Sequence, residues 1–320
     1  MASACTVLVT GGGGFIGSHL VKRLLGDGYA VRVLDNFATG HRTNLAEVID
    51  DVDLVEGDVQ SYERAHNAVR GCEVVFHLAA LPSVPRSIQD PLTSTASNVT
   101  GTLNVLLAAR DEDVRRVVFA SSSSVYGPQK DYPQREDAPA RPISPYGVSK
   151  LAAEGYCRAF TQVYGLETVA VRYFNVFGPG QDPLSQYAAV IPRFITAALS
   201  GQQPVIFGDG EQSRDFTYID NTVDGTVLAS TVEGVAGETF NVACGEATTL
   251  NQLLEHIREI SGRPVEASYQ ERQPGDLQRS QADISRAREA LGYDPAIDVR
   301  AGLERTFVHL ADQAAAVGHD

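Results

Sequence analysis

Two rhythms alternate along the chain. Short apolar runs at 6–10, 30–35, 52–59, 73–78, 115–121 and 167–173 read as strands. Between them, apolar residues recur three and four positions apart. Phe15, Ile16, Leu20, Leu24 and Leu25 form the stripe of a first helix, 61–70 predicts a short helix, and 91–110 and 146–164 predict long ones. Six strands alternating with helices predict an α/β fold built on a doubly wound parallel sheet. Past residue 180 the alternation loosens. There, 188–200 reads as a helix interrupted at Pro192, Gly208-Asp209-Gly210 as a turn, 214–220 as the approach to a helix, and 239–242 as a short strand. A helix over 250–261, a polar loop over 271–276 and fraying after about Gln313 complete the pattern. We therefore expect a first domain over 1–178, to which a segment near 215–243 returns, and a smaller C-terminal α/β domain over 179–214 and 244–320.

Composition narrows the function classes. A chain of 320 residues with 43% hydrophobic and 21% charged residues can bury a sizeable core. Its net charge of −14 disfavours nucleic acid and anionic membrane as partners, although a local cluster of arginines can still hold a small anion. No apolar run reaches the ~20 residues of a membrane span. The first five residues lead straight into a strand with no basic segment and cleavage site, so no signal peptide is expected. Cys5, Cys72, Cys157 and Cys244 form no metal-spaced pair and suit free thiols in a reducing cytoplasm, with no metal site.

The candidate chemistry sits where strands end. The first strand runs into Gly11-Gly12-Gly13-Gly14-Phe15-Ile16-Gly17 and then a helix, the context of a dinucleotide fingerprint. Glycines let the backbone turn tightly and approach a pyrophosphate seated on the helix N-terminus. Asp35 ends the second strand 18 residues after Gly17, where a carboxylate binds the adenosine ribose and repels a 2′-phosphate. That favours NAD, while the nearby Arg42 leaves NADP open. Asp58 falls at the end of the third strand. Leu78, Ala79 and Ala80 follow the fourth, where small residues admit a cofactor, and His77 reads as a packed strand-end residue. The fifth strand delivers Ser121-Ser122-Ser123-Ser124 to the same edge, ending 22 residues before Tyr146, so that a hydroxyl there can bind a reacting oxygen. Tyr146 and Lys150 are one helical turn apart and share a face. A free tyrosine titrates near ~10, and a neighbouring ammonium is expected to pull that down, so the pair can take and return a proton. Alone, this spacing is common on helix surfaces.

Together these segments resemble an extended short-chain dehydrogenase/reductase, and within that group a nucleotide-sugar 4-epimerase. The resemblance covers nearly the whole chain. It is carried by Thr10-Gly11-x-x-Gly14-Phe15-Ile16-Gly17, the serine run before Val125-Tyr126-Gly127, Tyr146-x-x-x-Lys150, Arg172-Tyr173-Phe174-Asn175, Gly208-Asp209-Gly210 before Arg214-Asp215-Phe216, and Arg272-x-x-Gly275-Asp276. Residues 175–192 look most like bacterial epimerases of UDP-GlcNAc, UDP-glucose or their C6-carboxylate relatives. The resemblance implies a Rossmann-type domain holding NAD, a smaller UDP-sugar domain, and a homodimer formed through 91–110 and 146–164. It implies Tyr146 as the acid–base, Lys150 as its cation and Ser122 as the group on the 4-oxygen, with Ser123 and Ser124 lining the pocket. Around NAD it adds Asn36, Val59, Asn98 and Tyr173 to the residues above. Around the sugar nucleotide it implies Ser83, Ala189, Val190 and Phe207, with Asn175, Arg214 and Arg272 on the diphosphate and Asp276 on the uridine ribose. Arginine forks match phosphate oxygens. Ser280 falls where the family carries a bulky or a small residue, and its size leaves room for an N-acetyl group. Arg193 is the nearest sequence candidate for a C6 carboxylate. A 4,6-dehydratase or UDP-glucuronate decarboxylase is the nearest rival, but elimination needs an extra acid and base, and Ser123 and Ser124 stand where those families place carboxylates. A non-catalytic NAD-binding regulator is the second rival, one that would often lack the tyrosine or lysine.

Overall fold

A computed structural model of the protein describes residues 5–182, 189–272 and 277–317. Its first half follows the predicted alternation. β1 (Thr6–Thr10) leads through the glycines into α1 (Phe15–Gly26), and then come β2 (Ala30–Asp35), β3 (Val52–Glu56), α2 (Tyr62–Val69) and β4 (Val74–His77). The short helices α3 (Val84–Gln89) and α4 (Pro91–Thr95) precede α5 (Gly101–Asp111), with a wider π-helical turn over Ala96–Thr100. The predicted helix at 91–110 is thus one rod with a π turn at its centre. β5 (Arg116–Ser122), α6 (Pro145–Tyr164) and β6 (Glu167–Tyr173) complete the series. Sequence chemistry sets the limits of α6. Ser144 caps it by accepting the Gly147 N–H at 3.1 Å, Pro145 opens the first turn, and Gly165 closes it with φ 74°.

The remaining elements are shorter. They are β7 (Val176–Phe177), α7 (Val190–Ser200), β8 (Val205–Phe207), β9 (Ser213–Arg214), β10 (Thr217–Tyr218), α8 (Ile219–Thr231), β11 (Thr239–Val242), β12 (Thr248–Thr249), α9 (Leu250–Ser261), β13 (Ser268–Gln270), α10 (Ser285–Leu291) and α11 (Val299–Val317). Pro192 does not interrupt α7. It sits in the first turn, where a missing N–H costs no intrahelical bond. The last helix continues to Val317, past the expected fraying point.

Seven strands form one sheet in the order β11-β6-β5-β4-β1-β2-β3, with every neighbouring pair parallel. The seventh, β11, comes from the returning segment of the chain. Both faces of the sheet are buried, which is why its strands read as continuous apolar runs. Val7, Val9, Leu20, Leu24, Val31 and Val33 join one core cluster, and Leu8, Leu34, Val75, Val117 and Phe119 the other. Burying each such side chain contributes about 1.5–3 kcal/mol. Strand order reverses between β1 and β4, so a crevice opens there at the C-terminal ends of the strands. β8 with β13, β9 with β12, and β7 with β10 form small two-stranded sheets beside the large one.

Candidate active site

The crevice holds a cavity of about 740 Å³. Its floor is backbone. Gly11 donates to Leu34 O at 2.8 Å and takes φ 73°, and a Cβ there would stand 2.8 Å from Ala79 N. A Cβ on Gly17 would stand 2.1 Å from Gly11 O. Only glycine fits either position, and the turn they permit presents the start of α1 to the cavity. The first N–H groups of a helix have no intrahelical acceptor and carry its positive pole, so Phe15 and Ile16 face the cavity with anion-binding backbone. At one end, Asp35 is nearly buried and accepts the N–H groups of Gly13 at 2.8 Å and Phe37 at 2.7 Å. Asn36 donates to Asp58 at 2.8 Å. Val59, Leu78, Ala79 and Ala80 line the walls with them.

At the other end α6 meets β5. Lys150 is buried, and its Nζ donates to Ala120 O at 2.7 Å, 4.9 Å from the Phe119 ring centroid and 6.0 Å from that of Tyr146. Ser122 donates to Ser124 Oγ at 3.1 Å and lines this end of the cavity together with Tyr146. Ser123, Tyr173, Asn175 and Ala189 close this end of the cavity. Ser87 Oγ accepts the Tyr146 N–H at 3.0 Å, and Ser83 caps the helix that carries Ser87, so the start of α6 is fixed against the β4 side of the crevice. Beneath, Glu154 accepts from Ser121 Oγ at 2.5 Å and from Arg172 at 2.9 and 2.7 Å. That buried pair ties α6, β5 and β6 together one turn below Lys150. A buried pair adds little net stability, but losing one partner strands a charge.

Residues 7–243 match the model of a family described as NAD dependent epimerase/dehydratase. The chain belongs to that family. It is 41% identical over 303 residues to a UDP-glucose 4-epimerase of Mycolicibacterium smegmatis, covering 93% of this chain and 96% of that one. The structure of a UDP-N-acetylglucosamine 4-epimerase from Methanobrevibacter ruminantium in complex with UDP-N-acetylmuramic acid is 38% identical, with a TM-score of 0.93 over 97% of this chain and 99% of that one. That of a UDP-glucose 4-epimerase from Thermotoga maritima with UDP-glucose is 36% identical, with a TM-score of 0.92 over the same shares of 97% and 99%.

The cofactor of this epimerase/dehydratase is NAD, and the cradle fits it. The glycine turn leaves no room for side chains under a pyrophosphate, and Asp35 offers a carboxylate to ribose hydroxyls. Arg42, which left NADP open, pairs with Glu56 and stacks at 4.5 Å on the Phe37 ring, and it is not among the residues lining the cavity. Asn98 departs from the expectation. Among the described residues lining the cavity it is absent; it lies beneath the wall, accepting the Leu81 N–H at 2.8 Å and donating to Ser149 Oγ at 3.1 Å. Its role is to hold the 79–82 backbone against α6. His77 is structural. Thr102 spends its hydroxyl proton on Asn98 O, so it accepts from Nε2 of His77, and Nδ1 accepts from Thr10 Oγ1 at 2.7 Å. Burial pushes that imidazole down to about 3.

Tyr146 corrects a second expectation. Desolvation pushes its phenol up to about 12, opposed by the Ser122 hydrogen bond. Desolvation likewise pushes Lys150 down to about 8. Taking both groups out of water costs more than their attraction returns while the ammonium is turned toward Ala120 O.

The substrate-side calls divide. Ser83, Ser122, Ser123, Ser124, Tyr146, Asn175 and Ala189 line the cavity, but Val190, Arg193, Phe207, Arg214, Arg272 and Ser280 do not, and Asp276 lies outside the described residues. Arg193 is exposed on α7. The others gather nearby. Ser280 donates its N–H to Ser213 O at 3.0 Å beside Arg214, and Phe207 pairs with Gln270 two residues before Arg272. Their link to the cavity is Asn175, which donates to Asp215 O at 3.1 Å. Sequence reasoning missed Asp215 itself. Its buried carboxylate accepts N–H groups from Cys244, Gly245 and Ala282 at 3.0–3.1 Å, and burial pushes it up to about 7. An aspartate inside the Arg214-Asp215-Phe216 motif gave no separate signal. The 38–41 wall was also missed, because it lies in a segment with no periodicity to read, and so were Leu81, Pro82, Val84 and Arg86 around the called Ser83, where α3 is too short to show a stripe.

Proposed function

We propose that the protein is a UDP-sugar 4-epimerase, an isomerase that inverts C4 through a transient 4-keto sugar. The observation that carries this is the meeting of Tyr146, Ser122 and Lys150 at one end of a cavity whose other end is the dinucleotide cradle. Ser122 holds the 4-oxygen. Tyr146 takes the hydroxyl proton and later returns it, and Lys150 supplies the positive charge that the phenolate faces. NAD, which the glycine turn and Asp35 would hold, would supply reversible hydride chemistry at C4 with no net consumption of the cofactor. Asn175, Arg214, Arg272 and Asp276 take the nucleotide diphosphate and ribose from the side of 179–214 and 244–320, the part we assign to the substrate. The small Ser280 suits UDP-GlcNAc and UDP-GalNAc as well as UDP-glucose and UDP-galactose. Ser123 and Ser124, at the wall of the cavity, offer no acid–base pair for elimination, so dehydration is not expected.

The test is incubation with each UDP-sugar and no added cofactor, reading the C4 configuration by proton NMR. Interconversion of the C4 epimers is expected. A product lacking water or carbon dioxide would instead assign a dehydratase or decarboxylase. We further propose a homodimer in which 91–110 and 146–164 pack against a second copy. Leu92 and Val163 on these helices are 83% and 70% exposed, as apolar contact residues of an unpartnered chain would be. Light scattering at the mass of one chain would exclude it.

A further inference from the structure

α1 is tied to the rim of the cavity by a residue the mechanism does not use. His19, one turn beyond the glycine cradle, places Nε2 at 2.9 Å from Pro179 O. A carbonyl oxygen only accepts, so Nε2 carries the proton and donates. Burial lowers the pKa of the ring, and the bond to Pro179 opposes that shift. The ring also packs edge-on against Phe15, with centroids 5.7 Å apart. Phe15, Ile16 and Gly17 line the cavity from α1, while Val176, Gln181 and Asp182 line it from the chain around Pro179. His19 itself lies behind them.

The 178–182 turn is sharply bent. Gly180 sits at φ 80°, and His19 Nε2 is the nearest atom to the Cβ it lacks, at 3.9 Å. On its other side the turn is anchored, because Gln181 donates to Val176 O at 3.2 Å and Val176 pairs with Thr217. The turn therefore bridges from β7, which pairs with β10 in a small sheet of its own, to the helix whose N-terminus would face the pyrophosphate.

We propose that His19 is a positioning residue for cofactor retention: its bond to Pro179 O holds the 178–182 turn against α1, so that NAD seated on the helix N-terminus leaves when this tie opens. The inference rests on NAD occupying that cradle. It makes His19 a determinant of how slowly NAD exchanges between turnovers, separate from the groups that move protons.

The experiment compares the full-length protein with His19→Phe, which keeps the ring packing and removes the donor, and His19→Gln, which keeps a donor. The readouts are NAD retained through gel filtration and the rate at which bound NAD exchanges with isotopically labelled NAD. Loss of one net hydrogen bond predicts roughly tenfold faster exchange in His19→Phe, equivalent to about 1.4 kcal/mol. Exchange in His19→Gln should return toward the native rate, and kcat at saturating NAD should stay within about twofold for both. Native-like exchange in a folded His19→Phe overturns the proposal while leaving the epimerase reading intact. Equal acceleration in both variants overturns it as well, because ring packing would then be the cause. A native protein that binds no NAD overturns both.

Discussion

The cofactor end and the nucleotide-sugar end of this molecule are built differently. Around the cradle, every called residue but Asn98 reaches the cavity, and the positions are set by backbone in long parallel strands. On the side proposed for the diphosphate, Arg214 sits in the two-residue β9 and Ser280 follows the isolated bridge at Arg279, and with Arg272 and Phe207 they are not among the residues lining the cavity. A sheet packed on both faces holds its strand ends, and the turns that follow them, in place. In the proposed reading a substrate that enters and leaves needs reach, which the long side chains of Arg214, on a two-residue strand, and Arg272, beyond the end of β13, would supply. The buried Asp215 is the hinge point between the two regimes, since it gathers the 244, 245 and 282 backbone around the strand that carries Arg214.

This contrast can be broken or sharpened by measurement. The largest effect is expected from Tyr146→Phe, which removes the proton carrier and should lower kcat about 1000-fold while NAD binding is unchanged. Retention of full epimerase activity would remove Tyr146 from its role. Next, Gly17→Ala places a Cβ 2.1 Å from Gly11 O and should weaken NAD binding up to about 100-fold by forcing the cradle open. Titration calorimetry with NAD checks this, and unaltered affinity would show that the floor is softer than its geometry. Arg214→Ala and Arg272→Ala should each raise KM for the UDP-sugar about 10- to 100-fold with NAD affinity unaffected, since each removes a charged hydrogen-bond donor. A fall in kcat with constant KM would mean that the two ends are not separable.

The smallest effect is in pH. Lys150 is pushed down to about 8 from an ordinary 10.5 by burial. Above about 8 it loses its charge, so kcat/KM should fall up to tenfold per pH unit there, and Lys150→Arg should move that limb out of range. Stability runs the opposite way. The unfolded lysine keeps its proton up to 10.5, so between about 8 and 10.5 the unfolded state binds more protons, and this group's contribution to stability rises with pH. A flat kcat/KM profile from 7 to 9 would show that Lys150 is not the titrating cation.

Much of this was legible along the chain because periodicity and turn chemistry are local. The runs at 6–10 and 30–35 became β1 and β2, the glycines became the cradle, and Asp35 came to its rim. The Tyr146 and Lys150 spacing is a property of any helix, so their shared face needed no tertiary information. Local signals misread Pro192, whose cost depends on where the helix starts, and gave the 91–110 helix without the π turn over Ala96–Thr100.

By itself the sequence determined the fold class, the glycine turn of the cofactor cradle and the shared helix face of Tyr146 and Lys150, because each shows in local periodicity and turn chemistry. The tertiary structure alone decided the protonation balance at the site. Tyr146 is pushed up where its spacing from Lys150 suggested a lowered pKa, and Lys150 is pushed down, because burial desolvates both. It also decided that Asn98 supports the wall, that Arg193 is exposed, and that His19 meets Pro179 across 160 positions of chain. No local pattern encodes contacts between elements that only the doubly wound sheet brings side by side.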